Sequence, residues 1–487
     1  MTSALTGKLN IGGEFHCGGG RKLRALDPAG QVALEPVYAC ADAADAELAC
    51  EQARSAATAL AAEGAPRRAE LLTSVARELD RAGAAIAGRL SSEAGVSTTH
   101  ALTQVQALAT RYRISACCVG KSVRNEAMRA LGTVVVFGSD QFELVLSIAG
   151  NCTMQALAAG CPVIALASKV FPGTSELLAR AIQRALKAAS FPKASFSLLL
   201  AGEGTVHAVL FSAPSVAALC FDAAMPEVEA IAHRALAIRP TMLIVRESLS
   251  SHVFIALPQM LNSCAEAIAR EFIVQALEAG GRIAGRAALL CALDGNGYVD
   301  LREAMAALVP SNPCTFVTAA LHRRYLSCLT ALMSQDGVQC VCEGEPAVGL
   351  WGVQAMLLEV DAAAILARPA LVADVVGPLA ILVRCARAED LLCMAVAPRA
   401  AELLTVFAEA ADGALFERLA ALTSPDPTRI LRGAFDMPRP ATGTAQDLVE
   451  ELSAARNWRR FTTRLEERDA ARCAPTGSPS GSSDRMR

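Results

Sequence analysis

A chain of 487 residues is longer than one hydrophobic core supports, so two or three domains are expected. With 53% hydrophobic and 19% charged residues it reads as a well-buried globular protein, and with only 4% aromatics its core must be mainly Ala, Leu and Val. A net charge of −3 makes no electrostatic case for nucleic acid or an anionic membrane surface. No segment reaches the roughly 18 uncharged apolar residues that span a bilayer.

Residues 9–36 read as short strands and turns, with Gly18-Gly-Gly20 as punctuation. Residues 41–109 read as helical, with Asp42 as N-cap and Leu71, Leu72, Val75, Leu79 and Ile86 on one face. Residues 110–131 show no clear period and carry Lys121, Arg124 and Arg129. The stretch that organises the chain follows. Its apolar runs are Thr133-Val-Val-Val-Phe137, Val163-Ile-Ala-Leu-Ala167, Phe196-Ser-Leu-Leu-Leu200 and Val216-Ala-Ala-Leu-Cys-Phe221. They alternate with helical segments, which predicts parallel strands buried on both faces and joined by right-handed crossovers. The fold class is therefore α/β, doubly wound, with ligands expected beyond the carboxyl ends of the strands.

Residues 228–236 read as a helix and Thr241-Met-Leu-Ile-Val245 as a further strand. A second domain starts near Glu247, with a long helix over 261–279 and strands at 287–292 and 379–384. Ser424-Pro-Asp-Pro427 reads as a crossing back, and 474–483 is too poor in apolar residues to order. The 17 cysteines are scattered without a Cys-x-x-Cys pair, and Met1 to Lys8 lacks the apolar segment of a secretory leader. Free thiols in a reducing, cytoplasmic compartment are expected.

Four motifs carry a family resemblance: Val136-Phe-Gly138, Ser147-Ile-Ala-Gly150, Ala156-Leu-Ala-Ala-Gly-Cys-Pro-Val163 and Pro172-Gly-Thr-Ser-Glu-Leu177. With Leu5-Thr-Gly-Lys8, Ile11-Gly-Gly-Glu14 and Val376-Gly-Pro378, the chain to about residue 460 resembles the aldehyde dehydrogenases. It is most similar to the branch that oxidises α-ketoglutarate semialdehyde (2,5-dioxovalerate). The resemblance implies a nucleotide-binding domain over 1–246 and a catalytic domain over 247–425. It also implies an oligomerisation extension near 111–131 and a return segment with an oligomerisation strand over 426–468, before a disordered tail at 469–487. The implied partners are a small aldehyde or semialdehyde and either a second copy or an active homologue. In the implied mechanism a cysteine thiolate attacks the aldehyde, hydride passes to NAD(P)+, and a glutamate-activated water releases the acid. An asparagine amide helps hold the oxyanion.

Most chemical positions depart from that pattern. The cysteine position falls in Gly280-Gly-Arg-Ile-Ala-Gly285, at Ile283, which cannot form a thioester. Cys264 and Cys291 are the nearest thiols, and core packing is the simpler role for both. Gln141 in Ser139-Asp-Gln-Phe142 stands for the oxyanion asparagine. Glu247 stands for the general base, and equally fits a surface or ion-paired glutamate. The implied cofactor positions are Gly138, Leu166 in place of a ribose-binding lysine with Lys169 nearby, and Phe221 in Phe221-Asp-Ala-Ala224. Asp374, in Asp374-Val-Val-Gly-Pro378, keeps the carboxylate of the nicotinamide-ribose motif on a shorter arm. Asp222 brings negative charge to the pyrophosphate path and Ala223 gives up a permissive glycine, so weak or absent NAD(P) binding is expected.

Other signals are weaker. Asp294-Gly-Asn-Gly-Tyr-Val-Asp-Leu-Arg-Glu303 resembles the later part of a calcium loop, but Ala292 takes the first ligand position and a tight turn is the better account. Gly202-Glu-Gly204 lacks the third glycine of a dinucleotide fingerprint. Cys340-Val-Cys342 reads as strand packing, His233 and His252 as solvent-facing or hydrogen-bonded, and no metal site is expected. The leading expectation is a degenerate aldehyde dehydrogenase relative, a pseudoenzyme acting as a binding or regulatory subunit. The competing one is an active NAD(P)-dependent oxidoreductase with a relocated nucleophile.

Overall fold

A computed structural model of the chain describes residues 4–120, 128–141, 143–200, 204–222, 227–247, 252–281, 288–309, 314–345, 351–369, 372, 377–396, 403–423, 430–433 and 462–464. Strands β1 (Leu9–Ile11) and β2 (Glu14–His16) form a hairpin, as do β3 (Lys22–Asp27) and β4 (Val32–Ala39). Helix α1 (Ala43–Ala62) opens on a capping box: Asp42 accepts from Asp45 N, and Asp45 accepts from Asp42 N, each at 3.0 Å. Helices α2 (Ala65–Ala94) and α3 (Thr98–Gly120) follow, and α2 stops where Gly95 takes a left-handed conformation.

The helix runs on to Gly120, which corrects the expectation that 110–131 lacks a period. Val105, Leu108, Ala109, Tyr112, Ala116 and Val119 make one buried face. Arg111 and Ser115 are buried there too, and these polar residues hide the apolar spacing. Within the expected extension, then, 111–120 is helix packed on α2. Among the described residues of that extension the strand is β5 (Met128–Ala130), paired antiparallel with the segment Thr462–Arg464.

The doubly wound unit has the expected strands: β6 (Thr133–Phe137), β7 (Val163–Ala167), β8 (Phe196–Leu200), β9 (Val216–Asp222) and β10 (Leu243–Glu247). Between them run helices α4 (Asn151–Ala159), α5 (Pro172–Ala188), α6 (Gly204–Ser212) and α7 (Val228–Ile238). The sheet order is β10-β9-β6-β7-β8-β1-β2, parallel from β10 to β8. Every residue of β6, β7 and β8 is buried, as a sheet covered by helices on both faces requires.

The start of α5 is held by a buried acid. Glu93, on α2, accepts from Gly173 N and Thr174 N, each at 2.9 Å, and from Thr174 Oγ1 at 2.7 Å, while Arg89 Nε donates to it at 2.9 Å. Residue 173 must be glycine for this approach, because a Cβ there would lie 2.2 Å from Arg89 Nε and 2.8 Å from Glu93 Oε1. Glu176, one turn further, accepts from Thr6 N, Thr6 Oγ1 and Gly7 N at 2.9, 2.7 and 3.1 Å. Two of the motifs behind the resemblance thus meet in space.

The second half builds its own sheet. Strand β10 closes the first sheet at Glu247, and β11 (His252–Ala256) belongs to the second. That sheet also contains Ala288–Leu293, Val338–Glu343, Met356–Asp361, Leu379–Cys385, Leu403–Phe407 and Ile430–Gly433. Alternate residues of β11 enter opposite layers: Val253 and Ile255 join one core, Phe254 and Ala256 the other. The long helix, α8, spans Pro258–Gly281. The calcium-like stretch turns at Asp294-Gly295 and enters the helix Asn296–Leu308, so Asn296, Asp300 and Glu303 lie on a helix rather than around a loop. Among the described residues no group of His, Cys, Asp or Glu is placed to hold a metal ion.

Candidate functional site

The order β9-β6-β7 makes the gap between β6 and β9 the topological switch point. The chain leaves β6 toward β7 and β8, then returns past β6 to lay down β9 and β10. In doubly wound sheets the loops leaving the carboxyl ends of the strands diverge at such a point and open a crevice. The segment after β6 is Gly138-Ser-Asp-Gln141, that after β7 begins Ser168-Lys169, and β9 ends in Asp222.

Asp222 is the hub of this end of the sheet and is only 3% exposed. Its Oδ2 accepts from Ser139 Oγ at 2.5 Å and from Gln141 Nε2 at 3.2 Å. Ser139 Oγ in turn accepts from Gln141 N at 2.9 Å, which folds the loop back over the strand end. Glu247 is the register partner of Asp222 across β9 and β10, so its backbone lies beside the strand end that carries this carboxylate. On the β7 side Ser168 Oγ donates to Asp140 Oδ1 and accepts from Val170 N at 3.0 Å. Although Asp140 is exposed as a residue, its carboxyl turns inward onto Ser168. Desolvation there raises its pKa, Glu227 and Asp222 add to the rise, and Ser168 and Lys169 oppose it.

The strand ends also carry an aromatic cluster. Phe137 and Phe221 stack with ring centroids 4.3 Å apart, and the His207 ring meets Phe137 edge-on at 5.5 Å. Burial lowers the His207 pKa, and Arg234 and Lys169 lower it further, so the ring stays neutral. Leu166 is 2% exposed and Phe221 1%, and both belong to the main core. Gly138 N donates to Leu166 O at 2.9 Å, continuing the ladder one step past β6.

The structure therefore brings together Gly138, Gln141, Leu166, Phe221 and, through Asp222, Glu247. Ile283, Asp374 and Ala223 lie outside the described residues, as do Gly202, Glu203, residues 424–427 and the tail at 469–487. Cys291 is fully buried in the strand Ala288–Leu293, where a hydrogen bond with Cys385 and burial both push its thiol pKa up. Cys264 is half-buried on α8, against the core that contains Phe254 and Leu290. Sequence reasoning missed the joint role of Ser139, Asp140 and Ser168. The signal was present as two short segments, Ser139-Asp140 and Ser168-Lys169, each directly after an apolar run.

A doubly wound nucleotide-type domain joined to a second α/β domain, with its crevice at the first sheet's switch point, defines the class. Residues 16–245 match the aldehyde dehydrogenase family. The chain is 31% identical over 438 residues to alpha-ketoglutaric semialdehyde dehydrogenase 2 of Azospirillum brasilense, covering 85% of this chain and 83% of that protein. It belongs to the aldehyde dehydrogenase family. Among solved structures, PnpE in complex with nicotinamide adenine dinucleotide superposes with a TM-score of 0.71 at 17% identity, covering 94% of this chain and 96% of PnpE. The NAD-dependent benzaldehyde dehydrogenase of Corynebacterium glutamicum gives a TM-score of 0.68 at 16% identity, over 87% of this chain and 94% of that one.

Proposed function

We propose that this chain keeps the aldehyde dehydrogenase scaffold without its oxidation chemistry, and serves as a binding or regulatory subunit beside an active semialdehyde dehydrogenase. The observation that carries this is the engagement of Asp222. Its carboxylate takes the amide of Gln141, the residue at the oxyanion position, and places buried negative charge at the switch point. A dinucleotide's pyrophosphate is itself anionic, so Asp222 and the neighbouring Asp140 oppose it. Leu166, apolar and buried, offers no ribose hydrogen bond. The side chains at this crevice do not fit NAD(P).

The missing thiol supports the same reading. Ile283 stands at the nucleophile position, and Cys291 is enclosed in a strand with its pKa raised, which disfavours the thiolate that would attack an aldehyde. Glu247 and Gln141 could at most position a water or polarise a carbonyl, and general-base help is worth about 10²–10⁴-fold.

The test uses the purified full chain, assayed with α-ketoglutarate semialdehyde and both nicotinamide cofactors, with calorimetry of each cofactor. No turnover is expected and no micromolar binding, which would correspond to about −8 kcal/mol. Ile283→Cys alone should not restore turnover, because the crevice is unchanged. Wild-type turnover that disappears in a folded Cys264→Ser or Cys291→Ser variant would overturn the proposal and establish a relocated nucleophile.

A further inference from the structure

Away from the switch point, helices α2 and α5 and the β1–β2 hairpin enclose an open cleft of about 600 Å³. One face of α5 lines it: Leu177, Arg180, Gln183, Arg184 and Lys187 recur at three- and four-residue spacing. The opposite face of the same helix, including Leu178, Ile182 and Ala185, is in the core. Arg81 enters from α2, and Lys193 from the turn before β8.

The cleft is basic in a chain whose net charge is −3. Four of its five cations share three carboxylates, none of which lines it: Glu176 pairs with Arg180, Glu78 with Arg184 and Arg81, and Glu14 with Lys193. The Glu78–Arg81 pair is long, at 3.6 Å, and the Arg81 side chain is 77% exposed. Lys187 is exposed and has no ion-pair partner among the described residues. This leaves positive charge at the mouth uncompensated.

The inner wall adds a second, independent feature. Asn10 is 5% exposed and lines the cleft, and its Oδ1 has no hydrogen-bond partner among the described residues. Gln183 spends its amide N–H groups on Lys193 O and Phe196 O, at 3.1 and 2.6 Å, and its Oε1 is likewise buried without a donor. Two unsatisfied acceptors behind a basic mouth call for a ligand that carries both an anion and a hydroxyl or amine donor. Leu177 and the Phe15 ring, over which the Arg180 guanidinium lies at 5.7 Å, supply apolar walls for a short carbon chain.

We propose that this cleft binds a small hydroxylated organic anion, a carboxylate or a phosphate monoester, at a site separate from the family's catalytic crevice. The experiment is titration calorimetry of the full chain at low salt with 3-phosphoglycerate, malate, inorganic phosphate and glycerol. 3-Phosphoglycerate should bind with a Kd below about 1 mM and at least about fivefold tighter than inorganic phosphate, with no heat from glycerol. Binding should weaken with added salt. The double variant Arg81→Glu, Lys187→Glu, which changes only exposed helix positions, should lose at least about tenfold in affinity. Tighter binding of malate supports the site and makes its anion a carboxylate. Absence of heat with every anion, equal affinity for phosphate and 3-phosphoglycerate, or affinity unaffected by the charge reversal would each overturn the proposal.

Discussion

Ser139 and Asp140 are neighbours on one loop, yet their side chains bear on stability with opposite sign. Ser139 Oγ donates to the buried Asp222 carboxylate, a hydrogen bond to a charged group worth about 1.5–3 kcal/mol. Ser139→Ala should therefore destabilise the chain by roughly that amount in denaturant titration. The Asp140 carboxyl has its pKa raised by desolvation, with Glu227 and Asp222 adding to the rise. A carboxyl whose folded pKa is raised contributes stability that is fully present below its unfolded pKa, about 3.9, and lost as pH rises through the folded value. Asp140→Asn should thus raise the melting temperature at pH 7, and the gain should shrink as pH falls and vanish near pH 4. A gain that persists at pH 4 would mean that packing, not charge, separates the two side chains.

Among the elements, α5 shows most clearly how acids buried far from any chemistry hold the nucleotide-type domain together. Glu93 satisfies two amides at the helix start and the Thr174 hydroxyl, and it neutralises Arg89. Burial pushes its pKa up against the pull of Arg89 and these donors. Glu93→Gln keeps the shape but leaves Arg89 without its counter-charge, and breaking a buried pair costs about 3–5 kcal/mol. Chemical denaturation of that variant should show a loss of this size, while an exposed pair such as Arg54–Glu51 should cost under about 1 kcal/mol when broken. The strands around this helix were legible in the sequence because runs such as Val163-Ile-Ala-Leu-Ala167 are apolar at every position, the pattern of a sheet covered on both faces. Helix α3 was only half legible, because Arg111 and Ser115 interrupt its buried face. The crevice was legible as substituted motif positions at Gln141, Asp222 and Glu247. The bonds among Ser139, Asp140, Ser168 and Asp222 were not, because they join residues 28 to 83 positions apart in the chain. Only the parallel strand order places those residues at one edge.

At the scale of the whole molecule, the short ribbon between Met128–Ala130 and Thr462–Arg464 ties the last described residues of the chain to a segment near the end of its first quarter. Thr462 pairs with Ala130, Thr463 with Arg129 and Arg464 with Met128. Two strands of three residues cannot hold themselves together in water, since an isolated two-stranded hairpin is marginal even at greater length. Both outer edges of this ribbon lack a strand partner among the described residues, so it presents ladders that another chain can extend. Assembly through these two regions, with a second copy or an active homologue, is the expected outcome. Thr463→Pro removes one amide donor from the middle of the terminal strand. Light scattering should therefore show a dimer or larger species for the wild type and a shift toward monomer for Thr463→Pro, while circular dichroism shows both sheets intact. A wild-type monomer that co-purifies with no homologue would rule out assembly through this ribbon, and an unchanged mass in Thr463→Pro would move the interface to another surface.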